Sequence, residues 1–175
     1  MINLMESPNV KETPATMADV RIVRLPKSRM VTSGSTTYSN VFSEGGFMRW
    51  LSNNDHLLKN VFYKNPDFVC FEGDSKIKWL SEVRDATTAV DTAPHAIVDF
   101  EGGLYAVCMQ KCGENTAAGD GAYEAIDQWL QTSGFEQDEN DGRKMMIHVI
   151  NDADDVANAL GYYQIDVYVP IKVIS

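Results

Sequence analysis

The segment from Gly161 to Lys172, GYYQIDVYVPIK, sets one carboxylate in the middle of an apolar strand. Side chains alternate along a strand, so Ile165, Val167 and Val169 share one side while Gln164, Asp166 and Tyr168 share the other. A carboxylate half-withdrawn from water among aromatic rings attracts a cationic ligand, and the rings add cation–π contacts of about 0.5 to 2 kcal/mol each. The competing reading is an ion pair between Asp166 and a Lys or Arg of a neighbouring strand. Glu82, in WLSEVR, is a second candidate carboxylate on the same surface, and Trp79 beside it is either a groove wall or core.

Other chemistry finds less support. Cys108 and Cys112 could be half of a zinc site, but no second Cys or His pair follows at ligand spacing, so no metal is expected. His56, His95 and His148 are scattered singly and read as packed or hydrogen-bonded residues. GENTAAGDGA is glycine-rich yet lacks the Lys-Ser/Thr of a phosphate-binding loop and the spacing of a dinucleotide fingerprint. No cofactor is expected.

Positioning these residues takes strands and two helices. Residues 1–18 are polar, with Pro8 and Pro14, and read as a disordered leader or linker remnant; the domain spans 19–175. ADVRIVRLPKSRMVTSG reads as one strand with a break or bulge at Pro26. From Ser43 to Val61, Phe47, Trp50, Leu51, Leu57, Leu58 and Val61 recur at helical spacing, which predicts a helix of four or five turns. DFVCFEG and KIKWLSEVR are strands joined at Gly73-Asp74-Ser75. The order then recurs: HAIVDFEGGLYAVCMQ extended, with a bulge or bend at Gly102-Gly103; GDGAYEAIDQWLQTSG helical, with Asp120 as N-cap and Gly134 as stop; RKMMIHVI a strand; DADDVANALG a short helix; YYQIDVYVPIKV the last strand. Two strand-helix-strand-strand halves, about 19–86 and 94–175, imply an internal duplication, with an antiparallel sheet covered by helices on one face and an open groove on the other.

The ending GYYQIDVYVPIKV, the phrase DFEGGLYAV and this duplicated order together resemble the gyrase-inhibitor-like small-molecule-binding family, the effector-binding domain of AraC-type and multidrug-sensing bacterial transcription regulators, with a SOUL-like fold. The resemblance implies two repeats about a pseudo-two-fold axis, an aromatic central groove and an acid in the last strand that attracts lipophilic cations. That acid, most often Glu in the family, falls on Asp166, one methylene shorter; Tyr105 matches the family's aromatic. Some members resemble hydrolases that open strained cyclopropane-containing toxins. In that alternative Asp166 would orient or deprotonate a water, with Tyr168 or Tyr105 donating to the developing anion.

Composition narrows the classes. With 25 acidic against 15 basic residues and a net charge of −10, the chain is a poor partner for nucleic acid, and no helix-turn-helix is visible. Any DNA-reading part belongs to another chain or a fused domain. No apolar run approaches the roughly 20 residues that span a bilayer, and the start lacks a signal peptide, so a cytoplasmic protein is expected. The leading reading is a module that binds a lipophilic, cationic small molecule, as a regulator's sensor or as a free-standing sequestering protein, with Asp166, Tyr168, Tyr105, Trp79, Glu82 and Gln164 lining its groove. The alternatives are a metal-independent hydrolase and an acidic inhibitor of a larger enzyme.

Overall fold

The computed structural model describes residues 19–59, 67–112, 121–138, 143–150 and 154–174. The readings of residues 1–18 as a leader and of Asp120 as a cap lie outside these residues, as does Val61. Its strands are β1 (Arg21–Leu25), β2 (Ser28–Thr32), β3 (Thr36–Thr37), β4 (Asp67–Gly73), β5 (Lys76–Glu82), β6 (Ile97–Phe100), β7 (Gly103–Cys112), β8 (Phe135–Gln137), β9 (Met146–Val149) and β10 (Tyr163–Val173). The helices are α1 (Tyr38–Val41), α2 (Phe47–Asn53), α3 (Ala122–Thr132) and α4 (Asp154–Leu160). The strands join in one antiparallel sheet of order β1-β7-β10-β9-β4-β5-β2-β6, with β3 on β5 and β8 on β10.

The sheet's two faces bury different things. Alternate residues Val31, Val69, Ile77, Trp79 and Val83 pack with Val41, Phe47 and Leu51 of α1 and α2. Ala106, Cys108, Val167, Val169 and Ile171 pack with Ala122, Ala125 and Ile126, which recur on one stripe of α3. The intervening residues Met30, Phe68, Cys70, Leu80, Tyr105, Val107, Met146 and Tyr168 form a third cluster, free of helix residues among those described. Val23 and Leu25 of β1 join this cluster together with Val98 and Phe100 of β6. Those strands lie at opposite ends of the sheet order, so the sheet must curl until its edges share one core. The result is an α+β half-barrel, concave on the side opposite α1, α2 and α3.

Two sequence expectations are corrected. ADVRIVRLPKSRMVTSG is not one interrupted strand: β1 pairs with β7 and β2 pairs with β5 and β6. Proline has no N–H to continue a ladder, and at Pro26 the chain crosses from one end of the sheet to the other. The long helix is also absent. Helical pairing stops at Asn53–Asn54, a single 3-10 turn covers Asp55–Leu57, and Leu58 bridges to Val83 as extended chain. The apolar spacing of Leu57 and Leu58 thus served sheet contact.

Candidate functional site

Asp166 sits mid-way along β10, opposite Met109 of β7 and His148 of β9, and is only 4% exposed. Its carboxylate accepts a hydrogen bond from the Arg21 guanidinium. Arg21 faces Val107 in the β1–β7 ladder, and Val107 also faces Tyr168, so the side chain reaches across β7 to arrive at β10. The two partners are unequally placed: the Arg21 side chain is 50% exposed and that of Asp166 6%.

Around the acid lies an aromatic cluster. Tyr168 meets Phe68 edge to face at 5.4 Å between centroids and Tyr105 at 6.0 Å, while Phe68 stacks on Phe100 at 5.6 Å. Such tilted and offset pairs are the favourable ring geometries. Met30 and Met146, both buried, complete a surface of polarizable groups. Tyr105 is held from beneath by Arg143, whose guanidinium lies 4.8 Å from the ring centroid and donates to Leu104 O and, at 2.6 Å, to Asp138 Oδ2. It fits because residue 103 is glycine: a Cβ there would lie 2.7 Å from Arg143 Cζ.

The sequence-derived candidates fall out as follows. Asp166, Tyr168, Tyr105, Gln164 and Glu82 all belong to the concave face, Gln164 by its two-residue offset from Asp166 and Glu82 by its pairing with Met30. Glu82 is 7% exposed and accepts from Lys59 Nζ at 2.8 Å. Trp79 does not belong there. It lies in the helix-side core, with its indole N–H donating to Asp67 Oδ2 at 3.2 Å. The concave face is also more closed than an open groove, because the curl brings β1 and β6 over it and leaves Tyr105 1% and Tyr168 8% exposed. The competing ion pair at Asp166 is present in this structure, with Arg21 as its partner.

Sequence reasoning missed Arg21, Arg143 and the group around Asp67. His148 Nδ1 lies 2.7 Å from the Asp67 main-chain O, within hydrogen-bond distance, and 2.9 Å from Asp67 Oδ1, which takes part in no hydrogen bond; residue 67 thus holds the histidine on the concave side by its main chain and the tryptophan on the helix side by its carboxylate. The available signal for Arg21 was its two-residue spacing from Val23 and Leu25, which puts all three on one side of β1.

Burial also sets the protonation of this face. The Tyr168 hydroxyl is pushed up to about 12 by burial, aided by the Asp166 charge and opposed by Arg21. Burial likewise pushes the Cys70 thiol up to about 11 and raises Tyr105, Arg143 working the other way on the latter. A raised folded value means that the stability tied to it is whole below the unfolded value, 9.0 for Cys70 and 10.0 for Tyr168, and is lost as pH rises to about 11 and about 12. Urea unfolding at rising pH is expected to show a loss of about 2 kcal/mol or more across that window. Unchanged stability through pH 12 would contradict the burial of these groups.

A separate groove of about 560 Å³ lies on the outside of α2, lined by Phe42, Ser43, Glu44, Met48, Arg49, Ser52 and Asn53. Among the described residues no helix is long and apolar enough to cross a membrane.

Comparison with known proteins bears on the fold. No protein-family profile and no curated protein matches the chain. Solved structures do. A protein described as a hydrolase from Listeria innocua aligns with a TM-score of 0.65 at 13% identity, over 88% of this chain and 92% of that one. The C-terminal domain of EcmrR aligns at 0.57 and 8% identity, over 89% and 98%. SAV2435 bound to tetraphenylphosphonium aligns at 0.50 and 13% identity, over 87% and 93%. The curled antiparallel α+β fold is shared with these three proteins, a likeness consistent with the gyrase-inhibitor-like fold.

Proposed function

We propose that the chain binds a lipophilic cation on its concave face, with Asp166 as the charge reader and Tyr168, Tyr105 and Phe68 as the apolar wall. The carrying observation is a carboxylate 4% exposed, on the same side as a cluster of aromatic rings and methionines. A buried acid needs a cation beside it, and a ring-lined surface favours one that is greasy rather than hydrated. The fold likeness to SAV2435, bound to tetraphenylphosphonium, and to the C-terminal domain of EcmrR supports this reading. The setting we favour is cytoplasmic, either as the effector-sensing part of a transcription regulator or as a sequestering protein. Internal duplication is part of the same reading: exchanging β1, β2, β4 and β5 for β6, β7, β9 and β10 turns the strand order into its own reverse, as a pseudo-two-fold axis would.

Hydrolysis is the second reading. The fold likeness to the Listeria innocua hydrolase favours it, as does the place of the Tyr168 hydroxyl on the same side of β10 as Asp166. Against it, the Asp166 oxygen that accepts from Arg21 is engaged.

Methionine methyl NMR during titration with tetraphenylphosphonium tests the proposed site. The methyls of Met30 and Met146 are expected to shift and to show cross-relaxation with the phenyl protons. Signals confined to Met48, which lines the groove outside α2, would move the site elsewhere.

A further inference from the structure

We propose that Arg21 is the resident competitor of the ligand: its guanidinium fills the place a ligand cation takes at Asp166, and binding exchanges one cation for the other and frees the start of β1 from β10. This rests on the reading of the concave face as a site for lipophilic cations. Three observations carry it.

The first is the asymmetry of the pair. Half of the Arg21 side chain is already in water and Asp166 is not, so Arg21 can swing out with little change in its hydration while Asp166 cannot follow it. The second is charge balance. A buried carboxylate left alone is strongly unfavourable, so Arg21 departs when another cation arrives and stays otherwise. The third is position. Arg21 is the first residue of β1, and among the described residues β1 is the end strand of the sheet, paired on one side with β7. Strand ends at a sheet edge are where local opening is least costly.

Exchange makes the site selective. A small hydrated cation offers Asp166 no more than Arg21 does and gains nothing from Tyr168 or Phe68. A lipophilic cation gains both the charge and the rings. A neutral aromatic molecule has no quarrel with Arg21 and gains the rings alone. Occupancy is also reported outward, because the released guanidinium no longer ties β1 across β7 to β10.

Tetraphenylphosphonium and its neutral relative triphenylphosphine oxide, titrated into wild type and Arg21→Gln, test the exchange. Arg21→Gln is expected to bind the phosphonium about tenfold tighter or more, since no resident cation must be displaced, and the neutral probe unchanged. In Arg21→Gln/Asp166→Asn the gain is expected to vanish. Arg21→Lys, which keeps the charge but loses the planar fork, is expected to fall between wild type and Arg21→Gln, and it serves if the glutamine variant does not fold. In wild type the amides of residues 21–23 are expected to exchange faster with deuterium when the phosphonium is bound. If wild type binds the phosphonium and Arg21→Gln binds it equally or more weakly, Arg21 is a structural partner and the exchange is wrong while the site stands. If no form binds either probe, the reading of the site fails and the exchange with it.

Discussion

Gly102→Ala is expected to lower stability by about 3 kcal/mol or more, or about 10 °C in melting temperature. Gly102 has φ of +64°, where a side chain is strained, and a Cβ built on it would lie 2.4 Å from Leu25 O and 2.5 Å from Pro26 O. Both neighbours are backbone, so neither can turn aside. The place also matters more than most, because here the end of β6 passes the link between β1 and β2 and the two edges of the sheet close on each other. Pushing them apart opens the cluster that holds Tyr105, Tyr168 and Phe68. Gly134 is the matched control: a Cβ there meets nothing within 4 Å, and Gly134→Ala is expected to be close to neutral. Urea unfolding of both variants checks the pair, and equal stability would mean that the closure at Gly102 is not tight.

How much of this was legible before folding depends on how local each feature is. Gln164, Asp166 and Tyr168 share one side of one strand, and alternation within twelve residues is enough to say so. The turn at Asp74–Ser75, with positive φ at both residues, follows from its own sequence, and so does the bend at Gly102–Gly103. The side of Trp79 was not legible, because alternation separates Ile77, Trp79 and Ser81 from Lys76, Lys78, Leu80 and Glu82 without saying which set meets the helices. The partner of Asp166 was illegible for a different reason. Arg21 and Asp166 are 145 residues apart, and their contact depends on β1 leaving β2 at Pro26 to pair with β7. No periodicity reports a pairing between strands so far apart. The overestimated helix came from Leu57 and Leu58, whose spacing suits a helix but whose chain turns to meet Val83.

Asp166→Asn is expected to weaken binding of a lipophilic cation by about 100-fold, equivalent to about 2.7 kcal/mol. The substitution keeps the shape of the side chain and removes its charge. It also leaves the Arg21 guanidinium facing a neutral amide, so the cation meets an uncompensated positive charge as well as losing its partner. A neutral aromatic ligand loses neither, since it depends on Tyr168, Tyr105 and Phe68. The decisive measurement is calorimetric titration of tetraphenylphosphonium and triphenylphosphine oxide into wild type and Asp166→Asn. Wild type is expected to bind both, and the variant to lose the phosphonium while keeping the oxide. Equal loss of both probes, or no binding by wild type, would contradict Asp166 as a charge reader.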